Sequence, residues 1–166
     1  KAAFNYRGLP NGIDNANGGT FTAGTSGTHT FNTNSQTLTG NLTIPSVTVT
    51  GAAVVLTNTN TLTVNTALGG TGQLTQGPGA ILNIVGASTI TSMDASTNTN
   101  TVNYTGGAQT VKDVNYVNLG LSGTLAKTLQ VGTTSITGNL TLSGTASTDG
   151  VVGLTIGGSV DIGSGT

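Results

Sequence analysis

The sequence predicts an all-β protein: a parallel β-solenoid (β-helix) of short Thr/Asn/Gly-rich coils, with an antiparallel β-sandwich as the alternative. Three observations predict it. Apolar and polar residues alternate in short runs along nearly the whole chain, Gly/Asn/Ser clusters separate the runs, and stretches of sequence recur at a distance.

The alternation is seen at Leu42/Ile44, Val47/Val49, Leu62/Val64, Leu82/Ile84, Leu119/Leu121, Leu140/Leu142, Leu154/Ile156 and Val160/Ile162. Period two is the signature of a strand with one buried face. No window carries a helical period, and Thr, Asn and Gly are poor helix formers. The intervening Gly and Asn clusters permit positive φ and tight corners.

Repetition separates the solenoid from the sandwich. Gly27–Gly51 overlays Thr99–Gly123 at an offset of 73, falling to 72 after one dropped residue: Thr28 meets Thr101, Phe31 meets Tyr104, and Gln36-Thr37 meets Gln109-Thr110. Further on, Val47 meets Leu119 and Val49 meets Leu121. "TGNLTI" at Thr39–Ile44 returns as "TGNLTL" at Thr137–Leu142, with a looser "TGQLTQ" at Thr71–Gln76. Stacked coils meet the same environment again and again, whereas each sandwich strand has its own. The reading therefore divides the chain into 1–26 (a cap, linker or inter-subunit segment), 27–98 (first β repeat unit) and 99–166 (second), in one continuous stack. Coils of roughly 20–25 residues give about seven turns and a rod near 35 Å long.

Composition agrees. Charged residues make up 5% of the 166, against roughly 25% in an average soluble protein, and Glu is absent. Like charges stacked about 4.8 Å apart along a rod repel, so a solenoid tolerates few. Outward Thr suits a pleated surface, and corner Asn can bond one coil away. A net charge of −1 with four Lys/Arg offers no basic patch, so neither nucleic acid nor anionic lipid is expected as a partner. No apolar run approaches the roughly 20 residues of a membrane span, and no membrane insertion is expected. Cysteine is absent, which excludes disulfides and Cys-based metal sites. The chain starts at Lys1 rather than Met, pointing to a processed export product or a piece of something longer.

"GTHTFNTNSQTLTG" and "NTVNYTGGAQTVKDVNYVNLGLSGTLAKTL", followed by "TTSITGNLTLSG", resemble a low-charge repeat of large secreted and surface-anchored bacterial proteins, the filamentous, adhesin-like (haemagglutinin-like) β-solenoids. The resemblance rests on Tyr104, Gln109-Thr110, Tyr116, the Asn118–Gly123 strand and Thr137–Gly144, and it covers about two thirds of the chain. It implies an exported structural or adhesive role at the cell surface, and it brings no catalytic residues.

The ionisable groups are Lys1, Arg7, Lys112, Lys127, Asp14, Asp94, Asp113, Asp149, Asp161 and His29. They form no motif for acid–base work or metal binding, so no catalytic, cofactor-binding or metal residues are expected and the chain is read as non-enzymatic. His29 reads as a surface histidine. "GGSVDIGSG" lacks the spacing of a calcium roll. Adjacent Lys112 and Asp113 point to opposite faces of a strand. Tyr104 and Tyr116 read as core fillers of wide corners rather than a sugar-binding face. Asn41, Asn103 and Asn139 begin glycosylation sequons, which a chain so rich in Asn and Thr generates by chance. Thr/Asn runs at Thr57–Thr66 and Ser96–Thr101 raise ice binding, without a fixed short period. The expected function is a subunit or segment of an extracellular filament or adhesin stalk, associating head-to-tail with copies of itself; the alternative is a module that binds surface glycans or ice.

Overall fold

The computed structural model describes residues 3–6, 11–14, 20–23 and 25–163, which contain strands and turns and no helix. The chain enters through β1 (Ala3–Tyr6) and β2 (Asn11–Asp14), then winds seven complete coils, each laying a segment on three sides of a rod. The first coil holds β3 (Thr20–Thr22), β4 (Thr28–Asn32) and β5 (Gln36–Thr39). In the second, β6 (Asn41–Thr50) bends over two sides and β7 (Val55–Asn58) takes the third; in the third coil β8 (Thr61–Gly69) and β9 (Gln73–Gln76) do the same. The fourth has β10 (Ile81–Ile84), β11 (Ala87–Ser88) and β12 (Ser92–Asp94). The fifth has β13 (Thr101–Tyr104), β14 (Gln109–Thr110) and the single bridging residue Tyr116. The sixth has β15 (Asn118–Leu121), β16 (Thr124–Thr128) and β17 (Ser135–Ile136), and the seventh β18 (Leu140–Leu142), β19 (Thr145–Ser147) and β20 (Thr155–Ile156). One more strand, β21 (Val160–Ile162), returns to the first side.

Pairing is parallel throughout the described strands, so the fold is the parallel β-solenoid and not the sandwich. The first side runs unbroken as β3, β6, β8, β10, β13, β15, β18 and β21. Its register sets the coil length. Leu42, Leu62, Leu82 and Val102 are Cα partners in succession, 20 residues apart; the next steps, to Leu119, Leu140 and Val160, are 17, 21 and 20.

Alternation explains what this register does. Inward residues of the first side form two columns, Leu42–Leu62–Leu82–Val102–Leu119–Leu140 and Ile44–Val64–Ile84–Tyr104–Leu121–Leu142, all buried. Each buried aliphatic side chain contributes roughly 1.5–3 kcal/mol, so the columns dominate the stability of the rod. Corners are points where the alternation slips. In β6, Ile44 and Pro45 are buried consecutively and the register shifts there; in β8, Asn65 and Thr66 are exposed consecutively. One coil on, the corner is Gly86, where a Cβ would lie 1.9 Å from the Thr66 carbonyl oxygen, so the close approach of successive coils demands glycine.

The two sequence echoes are resolved differently. "TGNLTI" and "TGNLTL" lie on the same side, five coil steps apart, with Leu42 and Leu140 in one column. The 73-residue echo does not return to its own side. Thr28–Phe31 belongs to β4 on the second side and pairs with the second half of β6, whereas Thr101–Tyr104 belongs to β13 on the first. The offset equals three coils and two sides of a fourth, because all three sides ask for the same alternating residues followed by a turn. Within segment 1–26, β1, β2 and β3 pair in parallel with β4, β5 and β6; residues 1–2, 7–10, 15–19 and 24, Lys1 and Arg7 among them, lie outside the described residues. The expected boundary at 98/99 falls in a corner between β12 and β13, across which the first side continues.

Candidate functional site

Polar and ionisable side chains occupy three kinds of place: inside the rod, on its flat outer sides, and at its end. The interior ones follow the phase of the strands. In β7 and β9, Asn58 and Gln76 stand two residues after the buried Leu56 and Leu74, at inward positions, and are fully buried. Asn58 Nδ2 donates to Gln76 Oε1 at 2.9 Å and to the Ile81 carbonyl at 3.0 Å. Asn100, also buried, donates from Nδ2 to the Ala95 carbonyl. These amides fill the corner between third and first sides where it is long, with seven residues from Ala95 to Val102 against three from Tyr116 to Leu119.

His29 belongs to this class, which corrects the surface reading. It lies between half-buried Thr28 and Thr30, in the column of Val47 and Leu68, and is 3% exposed. Burial lowers its pKa below the ordinary histidine value, because the charged imidazolium loses hydration.

Tyr104 and Tyr116 are buried too, so they fill the core and offer no stacking face to a sugar. Their hydroxyl oxygens lie 3.3 Å apart; Tyr116 donates to the Lys112 carbonyl at 2.6 Å, and the Lys112 N–H donates to the Tyr104 hydroxyl at 2.8 Å. Burial pushes both phenols up, Tyr116 strongly.

Lys127 is the least expected interior group. Its Nζ is enclosed by the carbonyls of Gly107 at 2.7 Å, Thr124 at 2.9 Å and Gly106 at 3.0 Å. Its Cα partner one coil back, Gln109, does the same for the coil before, donating to the carbonyls of Gly86 at 2.8 Å and Ile84 at 2.9 Å. Corner carbonyls thus receive side-chain donors, those of Ile84 and Gly106 in addition to the Thr105 and Thr124 N–H groups of the next coil. Desolvation lowers the Lys127 pKa.

The remaining acids are dispersed. Asp94 caps its own turn, accepting the Ser96 and Thr97 N–H groups at 3.2 and 3.1 Å. Asp113, Asp149 and Asp161 are exposed on later coils. Among the described residues no three of His, Cys, Asp and Glu come together as a metal site.

Outside, the first side carries a column Thr43–Thr63–Asn83–Asn103–Gly120–Thr141–Asp161. Asn83 donates to Thr63 Oγ1 at 3.2 Å and Asn103 to Asn83 Oδ1 at 2.9 Å. A glycan on Asn103 Nδ2 would break this ladder. Where Gly120 interrupts the column, a shallow groove of about 190 Å³ opens, lined by Thr101, Asn103, Asn118, Asn139, Thr141 and Ser143. Its groups are neutral hydroxyls and amides. Corner asparagines bond one coil away, as expected, though to backbone: Asn118 Oδ1 accepts the Asn139 N–H at 3.0 Å, and Asn139 Oδ1 the Ser159 N–H at 3.0 Å.

At the end, the two core columns surface. Val160 is 51% and Ile162 64% exposed, although they continue Leu140 and Leu142, which are 5% and 9% exposed. Fully exposed Val152 lies in the preceding turn. β19, β20 and β21 have no strand beyond them among the described residues, so backbone donors and acceptors line an open edge.

The interior amides, His29 and Lys127 escape a reading by residue type, yet strand phase could have found Asn58 and Gln76. No known protein family matches the chain. No curated protein and no solved structure matches it either.

Proposed function

We propose that this chain is a non-catalytic structural solenoid, a self-associating subunit or segment of an extracellular filament or adhesin stalk, of the haemagglutinin-like bacterial type that its sequence resembles. The observation that supports this reading is the unbroken parallel first side, on which seven successive steps from β3 to β21 repeat one stacking contact. A contact that a chain repeats within itself is one that copies of it can repeat between them. Low charge removes the usual obstacle, since stacked copies bring few like charges together. Head-to-tail contacts that do not close yield filaments. Electron microscopy and light scattering over a concentration series test it: rods longer than one chain and mass rising with concentration are expected, and a monomer that persists at high concentration defeats the reading.

A second reading draws on the Gly120 groove, whose neutral hydroxyls and amides suit a saccharide. Binding on a glycan array that is lost in Gly120→Asn would favour it. Ice binding has less support, because the outward column mixes Thr, Asn, Gly and Asp instead of repeating Thr.

A further inference from the structure

Resting on the glycan-binding reading but on a different groove, we infer that the gap between β11 and β14, on the second side of the rod, is a binding site for a short neutral oligosaccharide.

The gap begins with a missing step in a sheet. Among the described residues the second side is laddered from β1 through β4, β6 and β8 to β11, and again from β14 through β16 to β19, yet β11 pairs with β8 alone and β14 with β16 alone. Coils lie both below and above the break, so it belongs to the middle of the winding. It leaves a groove of about 500 Å³, lined by Val85 to Thr89 from one coil and Ala108 to Thr110 from the next, which is within the roughly 300–1,000 Å³ of small-molecule sites.

Gln109 braces the groove. Its Oε1 accepts the Gly106 N–H at 2.9 Å, and its Nε2 donates to the Gly86 and Ile84 carbonyls at 2.8 and 2.9 Å. A Cβ on Gly106 would lie 2.0 Å from the Val85 carbonyl oxygen, so the two coils touch at the corner and part along β11 and β14. The result is a preformed wedge. An extended peptide inserted as an extra strand would need two inter-strand steps of about 4.8 Å along its whole length, which a wedge closed at one end does not give.

The lining sets the class of ligand. It holds no ionisable side chain, so nothing in it selects a phosphate, a carboxylate or a metal ion. Thr89 and Thr110 are exposed, one on each bank, while Val85 is 38% exposed and Ala87 and Ala108 add exposed methyl groups. Ser88 occupies the inward column in which Val47 and Leu68 precede it, and its buried Oγ has no hydrogen-bond partner among the described residues. A buried hydroxyl left unpaired is unfavourable, and a ligand hydroxyl that reaches it removes the cost. Hydroxyls that both donate and accept, set among apolar carbon surface, match a ligand that carries neutral hydroxyls on an apolar ring.

The test is a titration of the isotopically labelled chain with lactose, maltotriose and chitotriose, followed through NMR amide shifts. Saturable shifts centred on Val85–Thr89 and Ala108–Thr110 are expected with at least one of the three sugars. Ala87→Leu, which fills the groove from an exposed position, should weaken that binding at least tenfold with an unchanged circular dichroism spectrum. Ser88→Ala should weaken it about fivefold without lowering the urea unfolding midpoint, and Gly120→Asn should leave it unchanged. Shifts confined to the Gly120 groove, lost in Gly120→Asn and kept in Ala87→Leu, overturn this site and leave the glycan-binding reading standing. No shift at either groove with any of the sugars overturns both. Shifts at the gap from a peptide of the β6 sequence, with none from the sugars, overturn the assignment to a saccharide.

Discussion

The lower coils, residues 28–94, and the upper coils, residues 101–162, are stabilised differently. Below, first-side spacing holds at 20 residues, β6 and β8 run 10 and 9 residues over a corner, and the first-side columns are Leu, Ile and Val. Above, spacing varies between 17 and 21, β14 and β17 have two residues each, and a tyrosine pair and a lysine are buried. The first side crosses this divide as a full ladder, whereas the second side breaks after β11 and resumes as β14, β16 and β19, and the third side narrows after β12 to the single bridges Ala95–Tyr116–Ile136 before β17 and β20. Apolar columns can therefore carry one sheet through a change in coil length, while the other two sides are held by side chains that reach backbone carbonyls of the neighbouring coil. Leu125, at φ +64° and exposed, marks the same loosening in β16.

Four substitutions sharpen this contrast. The largest effect is expected in the lower columns: Leu62→Ala removes a fully buried side chain flanked by Leu42 and Leu82 and should destabilise by about 3 kcal/mol in urea unfolding. Ile162→Ala, in the adjacent column at the open end, should change stability by less than about 0.5 kcal/mol in dilute monomer. Equal losses would mean that the end is covered even at low concentration.

Next comes the upper corner. Lys127→Met keeps the length of the side chain and removes the ammonium, and with it the three hydrogen bonds to the Gly106, Gly107 and Thr124 carbonyls, of which Gly106 keeps the Thr124 N–H. The cost should be about 2 kcal/mol at neutral pH, by the same unfolding measurement. A neutral outcome would show that packing alone holds the upper coils.

The smallest effect is a pH slope. Because burial lowers the His29 pKa below 6.5, the unfolded chain binds more protons than the folded one between the lowered value and 6.5. Stability therefore falls as pH drops through that window and levels off below it. His29→Leu should remove this part of the acid slope, read from unfolding midpoints between pH 7 and 5. An unchanged slope would assign the acid sensitivity elsewhere.

Most of the fold is legible in particular residues. Leu62 and Val64, or Leu140 and Leu142, announce a strand and its buried face by spacing alone, and "TGNLT" announces a return to the same column. The interior polar groups are harder to see. Lys127 is charged and His29 titratable, and both residue types are usually at the surface; only their position on an inward face, with carbonyls or apolar neighbours around them, reverses that preference. The Gly120 groove is invisible in sequence, since its lining is brought together from three successive coils, Thr101 and Asn103 in one, Asn118 to Ser122 in the next, and Asn139, Thr141 and Ser143 in the third.

By itself the sequence determined the local terms: β structure, short strands, stacking, and the lack of charge that lets coils lie close together. Those depend on neighbours a few residues apart and on composition. Tertiary structure decided which of three near-equivalent sides each strand occupies, and hence why a 73-residue echo lands on a different side from its original. It also decided which polar residues turn inward, since that depends on a carbonyl 20 residues away in the chain and one coil away in space. The exposure of Val160 and Ile162 was set there as well: they are core residues by pattern, and only the stack shows that no strand among the described residues lies above them.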